Sequence, residues 1–532
     1  MKKLTIIFII LSNYTFSQPW LKTINLPDWT YMECTMNVIS DYDRGSLLSI
    51  DVANFSPRNV HNIIYKYDDN AEIEYELLIG SGNKEETGVS AYTVSQSGDI
   101  VLVGAMLPPQ RPGIVALDSC RNKKWCTILM NSSYYPNFFL DLVLLEDGST
   151  VAVSIQNDTD IFNNIHLHKF NNEGELLWRK TLLSKHEHPK VMNASPNSLI
   201  KHSDGGYLVT GTCYWPNPDD TLWVYVRMFM VKADSQGNEE WVYVHGMDDY
   251  HYSQGLYSQE YNNAIYSDGL CRDYGYPDPP PQIIKTTLDG THLFDTIITA
   301  PDVNNRRLKG WITMSEIRED FFYASLWMYP LNNFTDSRAA FAKMDTLGVI
   351  HEFFMPDTVP ALIYAGYPYW EDNGKIMVTG ATAGDDPDFN DVYIMRLNTE
   401  PLRLDTISWT SYNYDSLCSQ PIESHVITLG DCSIIVNNED FSPPAKTQTL
   451  GMLAMPQPAV DELKIALTNT ILFRNITVRC YNMLGNEIDS FGVNSGTNEK
   501  KVDIAQWPAG LYIAVAYSNN SPVGSCKILK VK

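Results

Sequence analysis

"SDGGYLVTGT", residues 203–212, joins a tight turn to a short strand in which apolar and small residues alternate. Related stretches are "QSGDIVLVGA" at 96–105, "LEDGSTVAVS" at 145–154 and "EDNGKIMVTG" at 371–380. The alternation is typical of a β-strand with one buried face, and glycine suits the turn because it adopts positive φ at little cost. One such strand cannot bury itself, so the repetition indicates a fold assembled from several copies of one unit.

A second recurring element, strand–turn–strand, follows each copy of the first. The clearest copies are "IHLHKFNNEGELLWRKTL" at 165–182, "MFMVKADSQGNEEWVYV" at 228–244, "QIIKTTLDGTHLFDTII" at 282–298 and "AFAKMDTLGVIHEFF" at 340–354. In the first three, an aromatic residue stands four positions after the turn glycine: Trp178 after Gly174, Trp241 after Gly237 and Phe294 after Gly290. This agreement predicts a packing slot that is repeated from unit to unit.

Counting both elements gives seven pairs. The first halves turn near Gly45, Gly98, Gly148, Gly205, Asn263, Asp320 and Gly374, and the second halves near Asp68, Asp118, Asn172, Asp234, Asp289, Asp345 and Asn398. The second turns recur at roughly 50–60 residues, a period typical of β-propellers. We therefore predict an all-β chain with a seven-bladed β-propeller over 18–410, in which each pair supplies the outer three strands of a blade and the preceding segment supplies the innermost.

The repeats resemble the "DGGY-strand-G" repeats of secreted bacterial β-propeller proteins over roughly residues 40–410. This resemblance implies a fold and carries little functional content. Residues 411–450 are interpreted as a closing strand and connector. Two alternatives stay open for the closure of the ring, which takes its last strand from residues 20–40 or from residues 420–436.

The amino end, "MKKLTIIFIILSNYTFSQPW", places two lysines before an apolar run and a polar stretch. That order predicts a secretory signal peptide over residues 1–17. The run from Leu4 to Leu11 is far shorter than the ~20 residues of a membrane-spanning helix. The later apolar stretches contain charges, so no transmembrane segment is expected in the mature chain.

The formal net charge of −24 disfavours nucleic acid as a partner, because an acidic surface repels phosphate backbones.

Nine cysteines in an exported chain allow disulfides. The sequence-adjacent candidates are Cys120 with Cys126, Cys418 with Cys432 and Cys480 with Cys526, and buried free thiols are the alternative for each pair.

Residues 451–532 open with "MPQPAVDELKIAL" and continue with "ITVRCYNMLGNEI", "QWPAGLYIAVA" and "CKILKVK". They resemble the type A C-terminal sorting domain of the type IX (Por) secretion system of Gram-negative bacteria. The resemblance implies a small immunoglobulin-like sandwich, recognition by the type IX machinery and a sorting peptidase, and a secreted protein that is extracellular or attached to the outer-membrane surface. The family's marker positions fall on Pro456, Pro458, Asn482, Gly485, Gly510, Tyr512 and Lys527. Met455 and Gln457 depart from the family's usual tyrosine and asparagine.

Motifs of known enzyme classes are missing, and no catalytic residue or firm cofactor is predicted. The loops after the second strand of each blade are long, and long loops on a rigid scaffold are where binding usually occurs. The candidate ligand-binding residues in these loops are Trp215, Asp219, Asp220, Trp223, Trp327 and Tyr329. A weak calcium-loop pattern places Asp386, Asp388 and Asn390 at oxygen-ligand positions, although Asp391 replaces the expected glycine.

Three functional hypotheses follow. The leading one is a non-catalytic protein that mediates adhesion or captures a glycan or a protein. The alternatives are a secreted enzyme that degrades polysaccharide or peptide on the same scaffold, with loop carboxylates as acid and base, and a structural spacer.

Overall fold

The computed structural model describes most of the chain from residue 18 onward. The described residues are 18–24, 36–43, 45–55, 58–80, 87–106, 111–130, 137–156, 164–184, 187–216, 224–245, 252–272, 281–300, 302–303, 305–330, 338–356, 362–383, 390–407, 417–436, 451–468, 476–482, 487–493, 499–518 and 521–531. Regular structure in this part of the chain is all β-strand, as predicted. The chain forms two compact units, Met1–Phe441 and Ser442–Lys532.

Within the described residues, the first unit begins with strand β1 (Leu21–Ile24) and continues with seven antiparallel groups of strands, which we number blades 1 to 7. Blades 4 and 5 are joined into one sheet by a parallel pairing of Val226 with Tyr252. Blade 1 contains β2 (Met36–Ser40), β3 (Ser46–Phe55), β4 (Arg58–Tyr67) and β5 (Ile73–Ile79); blade 2 contains β6 (Thr87–Val94), β7 (Ile100–Met106), β8 (Arg111–Leu117) and β9 (Lys123–Met130). Blade 3 contains β10 (Phe138–Leu144), β11 (Thr150–Gln156), β12 (Asn164–Phe170) and β13 (Leu176–Leu182); blade 4 contains β14 (Met192–Lys201), β15 (Tyr207–Pro216), β16 (Val224–Ala233) and β17 (Glu239–Val244).

Blades 5 to 7 repeat this pattern. Blade 5 contains β18 (Tyr252–Tyr261), β19 (Ala264–Arg272), β20 (Pro281–Thr287) and β21 (His292–Ile297); blade 6 contains β22 (Arg306–Met314), β23 (Phe321–Pro330), β24 (Arg338–Asp345) and β25 (Ile350–Phe354). Blade 7 contains β26 (Leu362–Ala365) and β27 (Tyr369–Trp370), which share one strand position, then β28 (Ile376–Ala383), β29 (Asn390–Thr399) and β30 (Leu402–Leu404). The turns within the blades fall where the repeats predicted them.

Seven hydrophobic clusters lie between consecutive blades and show that the sheets form a closed ring. The cluster that joins the two ends of the series packs Leu48 and Ile50 of blade 1 with Met377 and Val392 of blade 7. Each blade thus buries both faces against its neighbours, which is why the sequence repeats one strand pattern seven times. The first unit is a seven-bladed β-propeller.

The ring is closed by the amino-terminal segment. Strand β1 pairs antiparallel with β29, with Leu21 opposite Met395, and so adds to the outer edge of blade 7. Trp20 is fully buried, and its indole N–H donates a hydrogen bond to the carbonyl of Asp69 in blade 1 at 2.8 Å. The Arg396 guanidinium lies 5.0 Å from the Trp20 ring centroid. Of the two alternatives, residues 20–40 therefore supply the closing contact.

Residues 417–436, which we name the strap, have a different role. The strap contributes β31 (His425–Ile427) to the edge of blade 1 and β32 (Ser433–Val436) to the edge of blade 2, both parallel to their neighbours. It therefore adds a fifth strand to two blades that are already complete.

The disulfides join the strap to blade 2, and the expected pairings within short segments are wrong. Cys120 is bonded to Cys418, and Cys126 is bonded to Cys432. The strap runs parallel to β9, with Ser433 opposite Thr127, so Cys432 lies beside Cys126. The nearest cysteine in space is therefore distant in sequence.

Cys480 and Cys526 are both free, which corrects the third expected pair. Both residues lie opposite Ala514, on the two strands that flank it. Two strand spacings separate them, about 9–10 Å, and this exceeds the reach of a disulfide.

The packing slot is present at three blade junctions. A Cβ added at Gly174 would overlap the Trp125 ring, a copy that was not predicted. A Cβ added at Gly237 would lie 2.7 Å from the Trp178 ring, and one added at Gly290 would lie 2.7 Å from the Trp241 ring, as predicted. The aromatic residue of one blade thus covers the turn glycine of the next. At the following junction, the side chains nearest to Gly348 are Thr296, Ile283 and Ile298 rather than Phe294, so the slot there is aliphatic.

Buried carboxylates link neighbouring blades at their inner strands. Asp51 accepts a hydrogen bond from the Val89 N–H at 3.0 Å, and Asp141 accepts one from the Leu199 N–H at 2.7 Å. Asp268 is fully buried and accepts from the Tyr257 N–H at 2.7 Å and from the Met314 N–H at 3.1 Å. Each carboxylate satisfies a backbone donor of the following blade.

Asp268 makes the stability of the propeller depend on pH. Burial raises its pKa to about 8, well above the value of about 3.9 expected in the unfolded chain. The folded state therefore keeps a proton that the unfolded state has lost, and the contribution of Asp268 to the free energy of unfolding falls as pH rises from about 4 to 8, by at most about 1.4 kcal/mol per pH unit. Urea unfolding at pH 5 to 8 should show a shallower decline for Asp268→Asn than for the native chain.

Asp147→Asn is the matched control for this measurement. Hydrogen bonds from the Ser149 hydroxyl and N–H hold the pKa of Asp147 below its usual value. This carboxyl is ionised throughout the range, so its removal should leave the slope unchanged. An unaltered slope in Asp268→Asn would contradict the assignment.

The second unit contains seven strands in two sheets around one core. They are β33 (Gly451–Met455), β34 (Glu462–Thr468), β35 (Ile476–Asn482), β36 (Glu487–Val493), β37 (Glu499–Asp503), β38 (Gly510–Ser518) and β39 (Ser521–Lys530). One sheet has the order β33-β34-β37 and the other β36-β35-β38-β39. Leu463 and Ile465 pack in the same cluster as Val478 and Ala514, so the sheets form a sandwich. This arrangement is compatible with the predicted immunoglobulin-like fold, which stays a prediction.

Candidate functional site

The predicted binding residues are only partly described. Trp215 lies near the end of β15, and Trp327 and Tyr329 lie near the end of β23, all three half-buried. Both strands are the second of their blades, so they end at the same face of the ring. Asp219, Asp220, Trp223, Asp386 and Asp388 lie outside the described residues, and Asn390 is described only as the start of β29. The weak calcium site therefore stays a prediction.

Trp215 lines a cleft of about 660 Å³ at the junction of blades 3 and 4. Three parts of the chain form it: the segment that joins the two blades, the end of β15, and the outer strand β17. Its lining residues are Glu187, His188, Pro189, Lys190, Val191, Trp215, Glu239, Glu240, Trp241, Val242 and Val244. The volume lies within the range of about 300–1,000 Å³ that is typical of small-molecule sites.

One wall of the cleft is aromatic and aliphatic. Trp215, Val242 and Val244 pack against the core between blades 3 and 4, and Trp241 is held against the turn of Gly290. The Lys190 ammonium lies 5.9 Å from the Trp215 ring centroid. Because Trp215, Val242 and Val244 rest on the packed junction of blades 3 and 4, they present fixed apolar surface to a ligand, whereas the Trp241 ring lies at the junction of blades 4 and 5.

The opposite wall is polar and is built around Glu239, the first residue of β17. The Glu239 Oε2 accepts a hydrogen bond from the Leu183 N–H at 2.9 Å, while Oε1 lies 2.5 Å from His188 Nε2. The Ser184 carbonyl accepts hydrogen bonds from the N–H groups of Glu187 and His188 at 3.0 and 2.8 Å. The blade-joining segment is therefore held in a turn that places both side chains beside Glu239.

The arrangement offers two kinds of chemistry. The carboxylates accept hydrogen bonds from hydroxyl or amino groups, and Trp215 provides a surface on which a flat or ring-shaped ligand stacks. One ligand atom from each of Glu187, His188 and Glu239 lies within 4.8 Å of the others, a set whose donor types suit a metal ion.

Of the predicted residues, the structure places only Trp215 in this cleft among the positions it describes. Trp327 and Tyr329 belong to blade 6, where they pair across the sheet with Ala339 and Arg307. Sequence reasoning missed His188, in the connection between blades 3 and 4, and Glu239, on the outer strand of blade 4. The one available signal was the stretch "KHEHP" at 185–189, which concentrates histidine and glutamate in a connection between blades.

The second unit carries the decisive similarity to known proteins. Residues 454–530 match the secretion system C-terminal sorting domain family. The chain ends in a type IX sorting domain. The protein is therefore secreted, and it is a cell-surface or extracellular protein.

The described marker residues of the sorting domain lie on one sheet and in one turn. Pro456 and Pro458 are exposed in the turn after β33, and Lys527 is exposed on β39. Tyr512 is buried in the core, and its hydroxyl donates a hydrogen bond to the Pro508 carbonyl at 2.5 Å. Asn482 ends β35, Gly510 begins β38, and Gly485 lies outside the described residues.

Among the solved structures similar to the chain are two enzymes and one β-propeller domain. An α-L-arabinofuranosidase of Fusarium graminearum covers 61% of this chain and 96% of its own at 10% identity and a TM-score of 0.40. The polysaccharide lyase Uly1 covers 68% and 89% at 10% identity and 0.42. The β-propeller domain of the Trilobed protease from Pyrococcus furiosus covers 73% and 98% at 12% identity and 0.39. No curated protein sequence matches the chain.

Within the described residues, no helix has the length and apolar character needed to cross a membrane.

Proposed function

We propose that this secreted protein is a non-catalytic capture protein that binds a glycan in the Trp215 cleft. The observation that carries the proposal is the pairing of a fixed tryptophan wall with a wall of carboxylates in one cleft of suitable volume. Sugar rings present apolar faces with hydroxyl groups around their edges. An aromatic surface beside hydrogen-bond acceptors complements both features.

The charged residues that line the cleft limit the class of glycan that it is expected to bind. Glu187, Glu239 and Glu240 line the cleft together with the Lys190 ammonium, and Glu240 is ion-paired with Lys232 at 2.8 Å. The whole chain also carries a net charge of −24. This field repels sulfated and uronic-acid polymers, so neutral or amino sugars are the expected ligands.

Trp215→Ala tests the proposal. Loss of the stacking surface should weaken retention of neutral polysaccharides by about tenfold or more, equivalent to about 1.4 kcal/mol or more. Retention on a panel of neutral, amino and acidic polysaccharides would be measured by affinity electrophoresis, with released products recorded in parallel. Trp327→Ala is the matched control, because Trp327 is also half-buried at the end of a second strand but lies two blades away.

Three results would contradict the proposal in different ways. Equal losses in both variants would show that the cleft is not the binding site. Release of oligosaccharide products would favour the enzyme hypothesis, with cleft carboxylates as acid and base. If none of the polysaccharides is retained, the hypothesis of a structural spacer would be favoured.

A further inference from the structure

We propose that Glu187, His188 and Glu239 bind a divalent transition-metal ion, for which Zn²⁺ is the best match. One imidazole nitrogen and two carboxylate oxygens are ligands that zinc accepts, at about 2.0–2.2 Å each. The three ligand atoms lie within 4.8 Å of one another. An ion at those bond lengths needs its ligands about 3.3 Å apart, a spacing that small side-chain rotations provide.

The ligand atoms are already oriented by their neighbours. The Leu183 N–H holds Glu239 Oε2 at 2.9 Å and leaves Oε1 directed at His188 Nε2, 2.5 Å away. The Glu187 and His188 backbones are both anchored on the Ser184 carbonyl. Such outer contacts fix ligand geometry in metal sites and reduce the cost of assembling them.

A bound ion would affect the stability of the fold, because its three ligands come from two different elements. Glu187 and His188 belong to the segment that joins blades 3 and 4, whereas Glu239 begins the outer strand of blade 4. A bound ion would therefore fasten the connection to the blade that follows it. Binding of the ion to the folded state alone would raise the stability of the propeller.

Three protein ligands also leave a coordination position free. All three residues line the cleft, so that position faces the space beside Trp215. Sites of this type keep a water or a ligand oxygen as the fourth donor. The metal proposal rests only on these three side chains and does not depend on glycan binding.

A second histidine–carboxylate pair provides a matched control. His351 Nε2 lies 2.9 Å from Asp345 Oδ2, but no third ligand completes a metal-binding group there within the described residues. The pair is the more exposed of the two. It lacks the second carboxylate that distinguishes the cleft site.

The test is titration of the chelator-treated full chain with Zn²⁺ alone, by calorimetry, and with Co²⁺, by visible absorption. We expect one ion per chain, a loss of affinity of about tenfold or more in His188→Ala and in Glu187→Gln, and no change in His351→Ala. Zn²⁺ should also raise the thermal midpoint of the native chain and not that of His188→Ala.

The proposal is overturned if no stoichiometric ion binds, or if His188→Ala binds as tightly as the native chain. Glu187 is exposed, so Glu187→Gln keeps the test decisive even if His188→Ala folds poorly. Titration without any sugar separates this outcome from that of the Trp215 experiment.

Discussion

Removal of both disulfides is expected to lower the free energy of unfolding by more than twice the effect of removing either one. The bridges close loops of 298 and 306 residues, but they share almost all of that loop. With one bridge intact, the other closes only a small additional loop, which consists of residues 120–126, residues 418–432 and the two bridges. In chain-entropy terms the small loop stabilises the fold by about 3 kcal/mol and the long loop by about 6 kcal/mol.

The measurement compares urea unfolding of three variants by tryptophan fluorescence. Cys120→Ala with Cys418→Ala removes the first bridge, Cys126→Ala with Cys432→Ala removes the second, and the quadruple variant removes both. Cys526→Ala, which alters a free thiol, is the control for substitution itself. Equal losses that simply add in the quadruple variant would contradict the shared-loop argument.

Gly237→Ala is expected to destabilise the propeller far more than Gly374→Ala. Both glycines have φ of +80°, where alanine costs about 1–2 kcal/mol. A Cβ at Gly374 meets nothing within 4 Å, whereas one at Gly237 lies 2.7 Å from Trp178. Trp178 is itself buried, so its ring cannot move aside cheaply. Overpacking should add about 1–3 kcal/mol at Gly237 alone.

Chemical unfolding of the two single variants measures this difference directly. Combining Gly237→Ala with Trp178→Phe tests the cause, because the smaller ring lacks the atoms that approach Gly237. We expect the double variant to lose less stability than the sum of the two single changes. Equal destabilisation by Gly237→Ala and Gly374→Ala would show that the tryptophan slot is not rigid.

The blades could be predicted from the sequence because their signals are local. A turn glycine such as Gly205 or Gly237 marks a hairpin within a few residues, and the period then gives the number of blades. The closure could not be predicted in this way. Strand β1 has four residues and no turn of its own, and its partner β29 is far away in sequence, so only the packing of Trp20 shows where it belongs.

Within the candidate site, the sequence identified a residue only where its type and its local context were enough to do so. Trp215 follows a recognised strand and precedes a long loop, and this context identified it. His188 and Glu239 indicate a site only because their side chains lie 2.5 Å apart in the folded protein. The sequence does not show that contact. The cysteines show the same limit, since proximity in sequence favoured Cys120 with Cys126 whereas the strap brought Cys418 and Cys432 to them.

The strap changes how the propeller responds to mechanical force. A protein held at a cell surface through its carboxyl-terminal end experiences tension along the chain that leads there. In a ring that ended with blade 7, such tension would peel off the last blade. Here the pull first reaches two covalent bonds to blade 2, at Cys126 and Cys120, so the load enters the ring at blade 2 rather than at the closing seam between blades 7 and 1. The strands that Trp20 and β1 hold together are thereby shielded from shear.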